Sequence, residues 1–105
     1  MPERIQLSRR AGWRKPSNTV VVARPTKWGN PFPVAEHGRE RAVAMFREMI
    51  ADPQAREARN YPAPNAVRAE LTGKDLACWC PLDQQCHADV LLDLANDSVN
   101  DEEKR

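Results

Sequence analysis

The sequence predicts a small α/β domain, two or three strands packed with three helices, and three observations carry that expectation. Thr19-Val20-Val21-Val22-Ala23 is a β-branched apolar run bounded by Asn18 and by Arg24-Pro25, which is how a buried strand reads. Val43, Phe46, Met49 and Ile50 recur at three- and four-residue spacing, the apolar face of a helix. Lys74 to Cys80, stopped by Pro81, is followed after a short connection by Cys86 to Leu94 with Val90, Leu91 and Leu94 apolar; this reads as strand, loop and helix. A chain of 105 residues has room for one modest core. A single domain over residues 1–96 is therefore expected, with 97–105 as a disordered polar tail.

Taken in order, Arg4-Ile5-Gln6-Leu7 alternates polar and apolar, as a short edge strand does. Ser8 to Asn18 is basic, and Gly12 and Pro16 argue against regular structure there. Trp13 within it suits either a ring stacked on a base or guanidinium or a cover for the core edge. The strand at about 19–23 is expected to be central, because its apolar run is uninterrupted. It delivers Arg24-Pro25-Thr26-Lys27-Trp28-Gly29-Asn30-Pro31-Phe32-Pro33, whose three prolines and one glycine define a loop. Glu36-His37-Gly38 reads as a turn, with His37 exposed or available for proton transfer. A helix over about 39–51 ends at Asp52-Pro53. Residues 54–61 read as a loop or one helical turn, and a short helix over about 65–71 stops at Thr72-Gly73. A strand over about 74–80 places Leu76, Cys78 and Cys80 on one face. A helix over about 86–95 follows. If the strands at 19–23 and 74–80 pair in parallel, the loops after them share one edge of the sheet and form one pocket.

Charge is unevenly spread. Residues 1–30 hold seven Lys or Arg against Glu3 alone, while residues 31–105 hold nine bases and fourteen acids. A basic segment on an acidic body marks a site for phosphate-bearing ligands or nucleic acid, or else an arm that pairs with the body. No apolar run approaches the length of a membrane span, so no membrane partner is expected. Glu3 and Arg4 precede polar residues rather than an apolar leader, so a cytoplasmic protein is expected. Three cysteines close together, two of them one residue apart, argue against a secreted disulfide scaffold and for free thiols or metal ligation.

The chemistry concentrates in Cys78-Trp79-Cys80 and Cys86-His87. Three thiols and an imidazole (Cys78, Cys80, Cys86 and His87) form a zinc-type ligand set. The composition suits zinc; the spacing does not, since one residue between paired cysteines leaves the chain little room to wrap an ion. A second reading makes Cys86, at a helix N-terminus, a reactive thiolate, with His87 assisting and Cys80 as second thiol. That helix end also suits a phosphate. A third makes the cysteines small buried strand residues. Arg24, Lys27, Trp28 and Asn30, with Arg14 from the basic segment, are the candidate ligand-binding residues: cations for an anion, a ring for stacking, an amide for a polar edge.

Trp13-Arg14-Lys15-Pro16, Lys27-Trp28-Gly29-Asn30-Pro31-Phe32 and Gly73-Lys74-Asp75-Leu76-Ala77-Cys78-Trp79-Cys80 with Cys86-His87-Ala88-Asp89-Val90-Leu91 resemble the family catalogued as domain of unknown function 4326, found in bacteria and commonly in their phages. The resemblance covers roughly residues 8–96 and departs from neither signature. It implies one compact domain whose two signature loops belong together, and it brings no established activity. Three functions are therefore expected in order: binding or acting on a nucleotide-like, phosphate-bearing ligand between the Trp28 loop and the Cys80/Cys86/His87 loop; a non-enzymatic interaction module, such as a phage effector of a host protein, with structural cysteines or a zinc site; and nucleic-acid binding by the basic first third.

Overall fold

A computed structural model describes residues 2–96. Three short strands, β1 (Arg4–Gln6), β2 (Thr19–Val21) and β3 (Asp75–Cys78), form one parallel sheet in the order β1-β3-β2. Ile5 and Val21 both stand beside Ala77 in the register. The central strand is thus β3, not the strand at 19–23 as its apolar run suggests. Leu76, Ala77 and Cys78 are all buried, as two covered faces require. Of β2, only Thr19 is buried. The apolar run continues past the strand as Val22 and Ala23, and these two enter the core beneath the following loop.

The helices number five among the described residues, not three: α1 (Val34–His37), α2 (Arg39–Ala51), α3 (Pro53–Ala58), α4 (Pro64–Leu71) and α5 (His87–Asn96). Each extra helix has a physical cause. Asp52-Pro53 ends α2 and also starts α3: the Asp52 carboxylate accepts from the Gln54 N–H at 3.0 Å, and Pro53 occupies the first helical position, where no N–H is needed. The same two residues thus work as a stop and as a start. The single turn of α1 begins after Pro33 and is closed by Gly38 at φ 83°, whose N–H donates to the Val34 carbonyl. The expected polar tail at 97–105 lies outside the described residues.

α2 and α4 pack on α5, which lies against β1 and β3, while α1 and α3 pack on α2; Phe46, Val67, Leu71, Leu76 and Leu91 fill the centre. Phe46 meets Tyr61 and His87 edge-on, each at 5.3 Å between ring centroids, the geometry that puts positive ring edge on negative ring face. No helix among the described residues is long and apolar enough to cross a membrane.

Phe46 links the core to the residue that opens α5. Phe46→Ala is expected to cost about 3–5 kcal/mol of stability, read as a lowered urea midpoint; a loss below about 1 kcal/mol would mean that the core closes over the gap.

Candidate metal centre in a cationic cleft

Parallel pairing of β2 with β3 brings their two following loops to one edge of the sheet. The first loop, Arg24 to Pro33, is built inward. The Arg24–Pro25 bond is cis. Gly29 lies against the Arg24 backbone: a Cβ there would meet the Arg24 side chain and stand 2.9 Å from its Cα. Trp28 is 4 % exposed, so its ring belongs to the core, and its carbonyl accepts from the buried Tyr61 hydroxyl at 2.7 Å. Burial raises the Tyr61 pKa, so this donor stays protonated. Asn30 ties the loop to α2: its Nδ2 donates to the Ala42 carbonyl at 3.1 Å and its Oδ1 accepts from the Phe32 N–H at 2.9 Å. Lys27 turns outward, 2.9 Å from Glu70 and over the Trp28 ring at 4.9 Å.

The second loop, Trp79 to Gln85, is held by Arg4 of β1. Its side chain is 8 % exposed, and Nη2 donates to the carbonyls of Pro81, Leu82 and Gln84 at 3.1, 2.8 and 2.6 Å. Its Nε lies 3.5 Å from Asp89, whose other oxygen accepts from the Cys86 N–H at 3.1 Å. Asp89 thereby reaches back over the first turn of α5, as the third helical residue does in a capping box. The Cys86 sulfur accepts in turn from the Ala88 N–H at 3.5 Å. Arg4 and Asp89 together return Cys86 to the end of β3.

The result is convergence of three sulfurs. The Sγ atoms of Cys78 and Cys80 are 3.9 Å apart, and all three lie within 4.8 Å of one another. None is in a disulfide. The strand ends at Cys78 rather than near residue 80, which frees the chain to turn Cys80 back towards its neighbour. The three thiols share charge. Cys80 is held below the usual thiol range by its neighbours Cys78 and Cys86, with the Arg39 guanidinium adding attraction; the Cys80 neighbour and burial push Cys78 up, and the neighbours Cys78 and Cys80, with burial, push Cys86 up. The three thiols titrate as a unit.

His87 stands behind the cluster, buried. Its Nε2 is 2.8 Å from the Val22 carbonyl oxygen, which can only accept, so Nε2 carries the proton. The lone pair is then on Nδ1, 3.6 Å from the Cys86 sulfur. Burial lowers the His87 pKa against the opposing pull of the Val22 carbonyl, which favours the neutral ring.

Between the loops lies a cleft of about 230 Å³ whose walls include Arg24, Asn30, Arg39, Cys78, Cys80, Cys86 and His87. The sequence-derived candidates among these meet in space. Arg14, Lys27 and Trp28 are not on the cleft wall. Three residues escaped sequence reasoning. Arg39, at the start of α2, lines the cleft and donates to the Gln85 carbonyl at 3.3 Å; its position in a plainly apolar-faced helix gave no hint. Arg4 reads as an ordinary strand residue. Asp89 carried a signal, the three-residue offset from Cys86.

The family model described as domain of unknown function 4326 matches residues 5–97. No curated protein and no solved structure matches the chain.

Two substitutions separate the loops. Gly29→Ala is expected to destabilise by about 1–3 kcal/mol in thermal or urea unfolding, since the added Cβ would crowd both the Arg24 Cγ and the Arg24 backbone. Arg4→Met keeps an apolar stem and removes the clamp; a loss of about 1.5–3 kcal/mol and faster reaction of Cys86 with a thiol reagent are expected. Unchanged Cys86 reactivity would show that Arg4 does not hold that loop.

Proposed function

We propose that this chain, which belongs to the family described as domain of unknown function 4326, is a metal-binding domain in which Cys78, Cys80 and Cys86 hold a thiophilic divalent ion such as zinc. One observation carries this reading: the sulfur spacing. Tetrahedral zinc with Zn–S bonds of about 2.3 Å needs sulfurs about 3.8 Å apart. Cys78 and Cys80 are at 3.9 Å, and Cys86 needs only a side-chain adjustment to close the set. Chain spacing does not prevent it, because Cys80 lies beyond the strand end.

Three sulfurs leave one tetrahedral position, and all three line the cleft. Sites closed by four protein ligands are structural; sites with three keep a position for water or a ligand. An ion here would lower the pKa of a bound water or polarise a bound oxygen. His87, its Nε2–H given to Val22, would orient the Cys86 side of the site, as residues just outside a metal's ligands do. The phosphate site expected from Arg24, Lys27 and Trp28 has weaker support, because Lys27 is engaged by Glu70 and the Trp28 ring faces the core.

Protein purified without chelator is expected to carry about one zinc per chain by elemental mass spectrometry, as one such ligand set dictates. Its thiols should resist modification until a chelator is added, and chelation should lower the melting temperature. Cys78→Ser, Cys80→Ser and Cys86→Ser should each lose metal. Metal-free protein after growth in zinc-supplemented medium, failing also to take up zinc in vitro, would refute the reading.

A further inference from the structure

We propose that the cleft binds a small organic carboxylate, its oxygens held between Arg24 and Arg39 with one of them at the fourth position of the metal. This rests on the metal reading above and adds the ligand class. The first support is charge. A divalent ion with three thiolates carries one net negative charge, and the two arginines lining the cleft carry two positive ones. Among the described residues no Asp, Glu or Lys lines it. The surplus is positive, and Arg9 over the Trp79 ring and Arg59 over the Phe32 ring add to it at the rim, so the cleft favours an anion.

The second support is the availability of the arginines. Arg24 is exposed and makes no hydrogen bond or ion pair among the described residues. Arg39 donates to the Gln85 carbonyl at 3.3 Å and also attracts the Cys80 sulfur, and the other donors of its five-donor fork remain for a ligand. A guanidinium fork matches a carboxylate in geometry as well as charge. The third is size and lining. A cleft of about 230 Å³ is below the roughly 300–1,000 Å³ that encloses drug-sized ligands, too small to enclose a nucleotide. Phe32 and Val34 form an apolar wall, and Trp79, 42 % exposed, stands at the side with Arg9 stacked on it at 4.4 Å. A flat apolar body on the carboxylate has a surface to lie on.

The test uses the full chain loaded with cobalt(II), whose visible bands report thiolate ligation and respond to the fourth ligand. Benzoate is titrated in, with benzamide as its neutral counterpart and AMP as the phosphate probe. Benzoate is expected to change the bands saturably, benzamide to leave them alone, and Arg24→Gln to weaken benzoate by about tenfold or more. Arg41→Gln, on an exposed face of α2 and off the cleft, should leave the benzoate response unchanged. Thiolate–cobalt bands that ignore benzoate, or respond to benzamide equally, overturn the carboxylate and leave the metal standing. Tighter, Arg24-dependent binding of AMP overturns it in favour of a phosphate ester. Absence of thiolate–cobalt bands removes the metal and this inference together. Should Arg24→Gln fail to fold by circular dichroism, the benzoate–benzamide comparison decides alone.

Discussion

The parallel pairing of β2 with β3 governs the geometry of this molecule. In a parallel pair both strands run out at the same edge, so whatever follows them is set side by side. Here one strand is followed by a proline-rich loop bearing Arg24 and Asn30, the other by Cys80 and the turn to Cys86. An antiparallel arrangement of the same strands would send the two loops to opposite edges, and no cleft would exist. The side chains at the site are ordinary; their meeting is a property of the sheet.

Two sorts of interaction hold the loops in place. The first loop is fixed by packing and by saturated backbone groups: Trp28 in the core, Asn30 spent on Ala42 and Phe32, Gly29 pressed on Arg24. The second has little apolar content and is fixed by one buried arginine offering donors to three carbonyls. A buried guanidinium is tolerable only where its charge is answered, and Asp89 answers it while also holding the Cys86 N–H. The structural arginine and the chemical cysteine are therefore joined through one carboxylate.

Much of this was legible in the residues. The helix at 39–51 is read to the residue because its apolar spacing is regular and Asp52-Pro53 marks its end. The convergence of Cys78, Cys80, Cys86 and His87 follows from a strand-loop-helix with a short connection. What escaped was whatever depends on a distant partner. Strand order is set by how each strand is covered, so the most apolar run, at 19–23, reads as the middle of the sheet although Leu76-Ala77-Cys78 takes that place. Asp52-Pro53 has two roles, and one was read. Arg4, Arg39 and the inward turn of Trp28 depend on residues tens of positions away, to which local pattern is blind.

The Arg4 clamp spans nearly the whole chain, joining the first strand to the turn ahead of the last helix. In a chain emerging from the ribosome, Arg4 precedes residues 81–89, and its side chain can be satisfied only after they have followed. The sulfur cluster is thus among the last features to assemble, and contacts of such long sequence separation form slowly. During synthesis its thiols stand apart and open to solvent. If the cluster holds an ion as proposed, its capture and the completion of the fold would be one late event rather than two.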